Sequence, residues 1–194
     1  MIYKNYGLKR LMDIIFGLIG VIFFGVFIVI GSVLILLTAG RPIFYLQNRV
    51  GKEGKVFKIF KLRTMHINSK RAAAQTTNSD PDVFPVGRIL RRIKLDELPQ
   101  VFNVLLGDMS LVGPRPCLEQ TASEMPNWAK KRFELRPGIT GLAQVNGNIA
   151  LSWEERWRYD LVYIQRYSFW LDVHIIFRTV FVVLIGEERF RRSR

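Results

Sequence analysis

The fold of this chain is decided by the stretch Ile14–Leu37, which reads IIFGLIGVIFFGVFIVIGSVLILL and contains no charged residue. As a helix, its 24 residues would be about 36 Å long, enough to cross a hydrocarbon core of about 30 Å. A secretory signal peptide would have a shorter apolar core and a small-residue cleavage site, which favours a retained anchor here. We therefore expect a membrane-inserted helix at residues 1–40, followed at residues 41–194 by a domain that buries its own core.

The charges on both sides of this stretch bear on its topology. The flanking cations are Lys4, Lys9 and Arg10 before it and Arg41, Arg49, Lys52, Lys55, Lys58, Lys61 and Arg63 after it. The positive-inside tendency would keep both ends in the cytoplasm, which requires a helix that enters the membrane and returns or lies in one leaflet. Gly17, Gly20, Gly25 and Gly31 permit a bend, but they also suit an ordinary packed transmembrane helix. These residues leave the re-entrant and the spanning helix both open.

The composition points to an anionic partner. The net charge is +13, from 29 Lys and Arg against 16 Asp and Glu, which suits nucleic acid, an acidic lipid surface or a phosphorylated substrate. The single cysteine, Cys117, excludes an internal disulfide. Since the sequence has only this cysteine and two separated histidines, a zinc site of the usual ligands is not expected.

Residues after Pro42 are predicted to form a mostly helical α/β domain with one small β-hairpin. The predicted elements are a hairpin of Ile43–Arg49 and Lys55–Arg63 around a turn at Gly51–Gly54, a short helix and loop in residues 64–87, helical spacing over Arg88–Leu106 interrupted by Pro99, a loop at Gly107–Pro116, a helix at Glu119–Arg132, a loop at Arg136–Gly141, a helix opened by the capping box Ser152–Glu155, and an apolar helix at Val173–Ile185.

The aromatic residues between Trp153 and Trp170 suit the membrane–water boundary, although half of them could simply fill the core. We expect amphipathic, membrane-associated helices within residues 153–186. The segment Arg189–Arg194 is predicted either to contact anionic lipids or to be a solvated tail.

The densest chemical signal is Leu95–Gln100, which reads LDELPQ. Proline is tolerated in the first turn of a helix, so Pro99 places Asp96 at or near the N-cap and Glu97 in the first turn. The surrounding cations are Arg88, Arg91, Arg92 and Lys94. A carboxylate kept ionised by arginines can attack phosphorus, and an adjacent carboxylate can hold Mg²⁺. The plainer alternative is that Asp96 caps a helix while Glu97 pairs with an arginine.

Three further segments support phosphate chemistry. Gly113–Pro116 fixes Arg115 between two prolines, and Lys61 and Arg63 stand at the end of the second hairpin strand. The loop Arg136–Gly141 adds another arginine beside backbone donors. Phosphoryl transfer needs mainly positioning, cations and a metal, so the combination indicates a phosphoryl-transfer site.

Several motifs together resemble the bacterial sugar transferases known as small monotopic phosphoglycosyl transferases. The motifs, which cover nearly the whole chain in order, are Arg10–Asp13, Gln47–Gly51, Phe57–Met65, Leu95–Gln100, Phe102–Leu105, Gly107–Pro116, Arg136–Gly141 and Ala143–Gly147. One departure concerns the anchor: the family usually breaks it with a Ser-Pro pair, whereas this chain has Phe24-Gly25-Val26 and no proline before Pro42.

The resemblance implies transfer of a phospho-sugar from a UDP-sugar to undecaprenyl phosphate, with release of UMP, at the cytoplasmic face of the bacterial inner membrane. Asp96 would be the nucleophile that carries a covalent phospho-sugar, and Glu97 would help to hold Mg²⁺. The phosphate-binding residues implied are Lys61, Arg91 and Arg115, and the residues implied in further substrate contacts are Arg136, Thr140 and Gln144. The anchor would be a re-entrant helix with both ends cytoplasmic.

Two other functions remain open on the sequence. A membrane-tethered binder of nucleic acid or acidic lipid would use the net charge, although the sequence contains no recognisable nucleic-acid module. A Mg²⁺-dependent phosphatase of lipid diphosphates would release inorganic phosphate instead of UMP. The sequence does not indicate which sugar is transferred, which pathway the product enters or the oligomeric state.

Overall fold

The computed structural model describes residues 6–66 and 80–185. The helices are α1 Tyr6–Ala39, α2 Pro85–Arg92, α3 Gln100–Leu106, α4 Glu119–Ser123, α5 Leu142–Val145, α6 Trp153–Arg166 and α7 Phe169–Ile185; the strands are β1 Phe44–Val50, β2 Val56–Leu62, β3 Ser110–Val112 and β4 Gly138–Thr140. The protein is mostly helical, as predicted. Most of the predicted helix and loop of residues 64–87, and the whole of Arg189–Arg194, lie outside the described residues.

One face of α1 lies against the rest of the protein along almost its whole length. Its buried positions are Lys9, Asp13, Gly17, Gly20, Ile28, Gly31 and Ile35, which are three or four residues apart except between Gly20 and Ile28. The side chains of Val101 and Leu105 in α3 approach Gly20 and Gly17, and Leu62 of β2 and Leu90 of α2 approach Gly31. Gly17, Gly20 and Gly31 therefore serve close packing, whereas an added Cβ at Gly25 would meet nothing within 4 Å.

The opposite face of α1 is apolar and exposed. Ile22, Phe23 and Leu37 are 76%, 68% and 77% exposed. Within the described part of the chain, Gly7–Ala39 is the one segment long and apolar enough to cross a membrane. The helix runs without interruption through Gly25, so the break that the family resemblance implies is not seen. The absence of the Ser-Pro pair accounts for this continuity, because glycine removes no backbone hydrogen bond.

The predicted hairpin is confirmed. Strands β1 and β2 are antiparallel, and Arg49 is opposite Phe57 while Tyr45 is opposite Lys61. The turn contains Gly54 with φ 75°, a conformation that glycine adopts without strain. Ile59 on β2 is buried with Val104 and Met109, so this face of the hairpin packs toward α3.

The helical pattern over Arg88–Leu106 divides into two helices and a separate turn. Between α2 and α3, Leu95–Glu97 forms a 3₁₀ turn, and Pro99 immediately precedes α3. The prediction that Asp96 caps the following helix is therefore wrong. Lys94 has a left-handed backbone with φ 59°, which ends the preceding turn and starts this one.

The two predicted loops Gly107–Pro116 and Arg136–Gly141 each contain a short strand that the sequence analysis missed. Strands β3 and β4 are parallel, with Ser110 opposite Gly138 and Val112 opposite Thr140. Three residues are too few for an alternating pattern to be recognised. This pairing fixes the position of the loop that carries Arg115.

The predicted helix Glu119–Arg132 is also wrong in extent. Helix α4 ends at Ser123, Pro126 follows, and a 3₁₀ segment covers Ala129–Glu134. The capping box is confirmed, because Glu155 N donates to Ser152 Oγ and Ser152 N donates to the Glu155 carboxylate. The last apolar helix begins at Phe169, four residues before the predicted start.

A buried polar network joins the N-terminal end of α1 to the last two helices. Lys9 Nζ lies 2.6 Å from Asp172 Oδ2, and the Tyr163 hydroxyl donates to Asp172 Oδ1 at 2.6 Å. Asp13 accepts hydrogen bonds from Ser110 Oγ and Leu111 N. The start of α1 is thus attached to β3 and α7 by charged groups.

Candidate active site

Asp96 and Glu97 lie in the turn between α2 and α3, opposite the end of strand β2. Glu97 is the centre of an ion-pair cluster: its Oε1 accepts from Lys61 Nζ at 2.9 Å and from Arg115 Nη2 at 2.6 Å. Its Oε2 has a longer contact of 3.4 Å with Arg115 Nη1. The structure therefore brings together two of the three predicted phosphate-binding cations on one carboxylate.

Asp96 is buried but differs from Glu97 in its bonding. Among the residues that the structure describes, none forms a hydrogen bond with its carboxylate, and neither of its oxygens is fully enclosed. Arg91, whose Nε donates to Thr64 Oγ1 at 2.8 Å, is near enough for its charge to act on Asp96. Asp96 therefore has oxygen lone pairs available to a substrate.

The environment shifts the pKa values of the two carboxyl groups in opposite directions. Burial, and secondly the negative charge of Glu97, raise the pKa of Asp96 to about 6. Burial also acts to raise the pKa of Glu97, but the charges of Arg115 and Lys61 and the hydrogen bonds from Arg115 outweigh it. The pKa of Glu97 consequently lies well below its usual range. Glu97 stays ionised at neutral pH, while Asp96 is a comparatively basic carboxylate, which favours nucleophilic attack.

The backbone of Arg115 is bound by Arg132, which belongs to a buried ion pair. Arg132 Nη2 donates to the Arg115 carbonyl at 2.6 Å, and the Arg132 guanidinium lies 2.9 Å from Asp160 Oδ2. The adjacent backbone is equally confined, because Gly113 N donates to Thr140 O and Gly138 N donates to Pro114 O. These contacts hold the backbone that carries the Arg115 side chain, whose guanidinium contacts Glu97.

The other predicted substrate residues contact neither carboxylate within the described chain. Arg136 Nε donates to Gly107 O at 2.8 Å, at the end of α3, and Thr140 Oγ1 shares a hydrogen bond of 2.6 Å with Thr179. Both polar atoms of the Gln144 side-chain amide are enclosed and have no hydrogen-bond partner among the described residues. The roles of these three residues in substrate binding stay predictions.

Several residues that build the site were not predicted from the sequence. Asn103 is fully buried and bonds the backbone of β2 at Phe60 N and Lys58 O, which aligns Lys61 with Glu97. Arg49 lies close enough to Arg115 and Glu97 for their charges to act on it. The sequence offered one indication of this: Arg49 lies in the motif Gln47–Gly51, four residues from Tyr45 on the same face of a predicted strand.

The donor set is suitable for Mg²⁺. Asp96 and Glu97 are adjacent carboxylates, and Glu97 Oε2 has only the 3.4 Å contact. No group of three His, Cys, Asp or Glu residues that could hold a metal occurs in residues 6–66 and 80–185. Mg²⁺ at phosphate-transfer sites typically takes one or two carboxylates and completes its shell with substrate phosphate and water. The residues present fit such an ion.

The comparison with protein families gives one match that covers most of the chain. The family model described as bacterial sugar transferase matches residues 4–186. A protein of Bacillus subtilis named uncharacterized sugar transferase EpsL is 38% identical over 180 residues, covering 93% of this chain and 89% of that protein.

Two further relatives have names that state a reaction. A UDP-N-acetylgalactosamine-undecaprenyl-phosphate N-acetylgalactosaminephosphotransferase of Aeromonas hydrophila is 41% identical over 92% of this chain and 44% of its own length. A UDP-glucose:undecaprenyl-phosphate glucose-1-phosphate transferase of Klebsiella pneumoniae is 39% identical over 96% of this chain and 42% of its own length. The chain thus spans less than half of these two proteins.

Proposed function

Because the chain belongs to the bacterial sugar transferase family, we propose that it transfers a phospho-sugar from a UDP-sugar to undecaprenyl phosphate, releasing UMP. The observation that carries the proposal is the contrast between the two adjacent carboxylates. Glu97 is bound by Lys61 and Arg115, whereas Asp96 is buried, has a raised pKa and accepts no hydrogen bond from any residue that the structure describes. Relatives named for undecaprenyl-phosphate transfer support the substrate class.

In the proposed first step, an Asp96 oxygen attacks the sugar-bearing phosphorus of the UDP-sugar. A new O–P bond forms, the bond from phosphorus to the bridging oxygen breaks, and its electron pair leaves with UMP. In the second step a phosphate oxygen of undecaprenyl phosphate attacks the same phosphorus and releases the Asp96 carboxylate. Two steps allow a soluble and a membrane-bound substrate to use one site in turn.

The cations have separate tasks in this scheme. Lys61 and Arg115 hold Glu97 ionised and present donors to the diphosphate, and Arg91 offsets charge next to Asp96. Asp96 and Glu97 would hold Mg²⁺ together with the diphosphate, and this ion would neutralise phosphate charge.

We further infer that both ends of α1 lie on the cytoplasmic side of the membrane. Lys9 at one end pairs with Asp172, and Ala39 O at the other end accepts from Arg63 Nη2 at 2.6 Å. Both contacts are with the domain that carries Asp96, so the ends cannot lie on opposite faces of a bilayer while these contacts persist. The exposed apolar face of α1 would then enter the membrane from one side.

This placement suits a lipid substrate. Extracting an undecaprenyl chain from the bilayer is costly, since each buried CH₂ contributes about 0.8 kcal/mol. A catalytic site fixed at the height of the phosphate headgroup avoids that cost. Anionic lipids around the basic surface are a further proposed partner.

The test is UMP release from a panel of UDP-sugars by the protein in nanodiscs, with and without undecaprenyl phosphate. We expect one stoichiometric burst of UMP without acceptor, steady turnover with it, and a phospho-sugar adduct on Asp96 by mass spectrometry. Asp96→Asn should abolish the burst, the adduct and turnover, and Glu97→Gln should greatly weaken all three. Near-normal turnover by Asp96→Asn would show that the nucleophile is another group.

The same assay separates the other two functions. A lipid diphosphate phosphatase would release inorganic phosphate and no UMP. A polyanion binder would release neither and would bind nucleic acid or acidic vesicles with strong salt dependence.

A further inference from the structure

The face of the hairpin that carries Lys61 holds a second cation without a part in the steps above. Tyr45, Gln47 and Arg49 alternate along β1, and Tyr45 is directly opposite Lys61. Directly opposite residues in an antiparallel pair lie on the same face, and alternate residues of one strand share that face. Arg49 therefore faces the same side of the hairpin as Lys61, which contacts Glu97.

The backbone fixes the distance of Arg49 from the Arg115 loop. Val50 N donates to Cys117 O at 2.9 Å, and these two residues form an isolated antiparallel bridge. Arg49 is one residue from this bridge and Arg115 is two residues from it. The two arginines consequently keep their spacing when side chains move.

The Arg49 guanidinium is positioned but not neutralised. Its Nη2 donates to Gln47 Oε1 at 2.6 Å, and its Nε is enclosed with no hydrogen-bond partner in residues 6–66 and 80–185. Its Nη1 forms no hydrogen bond within the described residues and is not fully enclosed. No carboxylate in that part of the chain forms an ion pair with it. A half-buried guanidinium with an open N–H is arranged to receive an anionic oxygen.

The charges around it lead to the same conclusion. Burial, and secondly the charge of Arg115, lower the pKa of Arg49. The two guanidinium groups carry the same charge and therefore repel each other. Glu97 offsets this repulsion only in part, because its carboxylate already accepts from Lys61 and Arg115. The cluster has more positive than negative charge and would be stabilised by a bound anion.

Building on the proposed function, we propose that Arg49 is a further phosphate-binding residue, which holds with Arg115 the phosphate of the departing nucleoside monophosphate. When Asp96 attacks, the bond from phosphorus to the bridging oxygen breaks and its electron pair stays on the leaving phosphate. Arg49 donates an N–H to that phosphate as its charge increases, and no proton needs to be transferred. Gln47 is a positioning residue that orients the guanidinium.

The experiment measures UMP binding to the full chain in nanodiscs by calorimetry. We expect Arg49→Gln to weaken UMP binding by about ten- to hundredfold, the cost of losing hydrogen bonds between charged groups. Arg49→Lys should lie in between, since it keeps the charge but not the fork of donors. Uridine, which has no phosphate, should inhibit UMP release from the UDP-sugar equally in wild type and in Arg49→Gln.

The matched control is Lys58→Gln, which removes a positive charge from the opposite face of the same hairpin. It should leave UMP binding unchanged. Gln47→Met tests the positioning role without removing a charge and should weaken UMP binding by a few-fold. Thermal melting of each variant shows whether it is folded; if Arg49→Gln does not fold, Arg49→Lys and Gln47→Met decide the question.

The outcomes distinguish this inference from the function on which it rests. If wild type neither binds UMP nor releases it from any UDP-sugar, the proposed function fails and the role of Arg49 fails with it. If wild type does both and folded Arg49→Gln binds UMP as tightly, only the role of Arg49 is overturned. The role of Arg49 would also be overturned if Arg49→Gln weakened inhibition by uridine as much as binding of UMP. The lost interaction would then not involve the phosphate.

Discussion

Two adjacent carboxylates acquire different chemistry from their neighbours alone. Glu97 lies between Lys61 and Arg115, while the oxygens of Asp96 have no donor within the described chain. Opposite shifts of two neighbouring carboxyl pKa values are typical of sites where one group reacts and the other supports it. The division of tasks in the proposed reaction, with Asp96 reacting and Glu97 supporting it, therefore depends on the immediate neighbours of each residue.

A pH profile tests this division. Asp96 has a pKa raised to about 6, so its ionised form is lost as pH falls through that value. We expect the second-order rate constant of the burst, measured at low UDP-sugar concentration, to fall about tenfold per pH unit below about pH 6. Glu97→Gln removes a neighbouring negative charge, which should lower the pKa of Asp96 and move the acidic limb to lower pH. An acidic limb at the same pH in both proteins would contradict the coupling.

At the scale of elements, short strands and close backbone contacts fix the reactive groups. Strands β3 and β4 pair through only a few residues, but they hold the Arg115 loop against the Arg136 loop. Gly113 has no room for a side chain, because an added Cβ would lie 2.4 Å from Arg136 O and 2.9 Å from Gly138 N. The motif glycine is thus required by the approach of two backbones.

Gly113→Ala tests this approach. The added methyl group must separate the two loops, which we expect to cost about 1–3 kcal/mol of unfolding free energy and to displace Arg115. The variant should melt at a lower temperature and release UMP more slowly. Gly25→Ala is the matched control, since its Cβ would meet nothing within 4 Å. Equal melting of Gly113→Ala and wild type would show that the loops are not tightly held.

At the scale of the whole molecule, α1 is part of the folded domain as well as an apolar helix. The N-terminal end of α1 bonds α3, α7 and β3, with Arg10 donating to Val104 O and Leu105 O, and its C-terminal end bonds Arg63. The attachment of both ends to one domain supports the proposal that both ends of α1 lie on the same side of the membrane.

Cysteine labelling tests the topology. In a Cys117→Ala background, Gly7→Cys and Lys55→Cys place single thiols near the start of α1 and on the hairpin turn, where the Lys55 side chain is 80% exposed. We expect a membrane-impermeant maleimide to label neither in intact spheroplasts and both after permeabilisation. Labelling of Gly7→Cys from outside, with Lys55→Cys protected, would establish a spanning helix instead.

The sequence by itself predicted the features that depend on local patterns. The apolar run predicted α1, two apolar-rich segments separated by Gly51–Gly54 predicted the hairpin, and Ser152 with Glu155 predicted the start of α6, because each depends on residues close together in the chain. The motif Leu95–Gln100 located the two carboxylates. Their surrounding cations could be named from the sequence, but their partners could not.

Tertiary structure decided what depends on residues far apart in the chain. Lys61 and Arg115 meet on Glu97 across 36 and 18 residues, and Lys9 meets Asp172 across 163. Strands β3 and β4 exist only because they pair with each other, since three residues have no pattern of their own. Burial and charge in three dimensions decide that Glu97 is bonded, that Asp96 stays open and where Arg49 points. Periodicity along the chain does not contain that information.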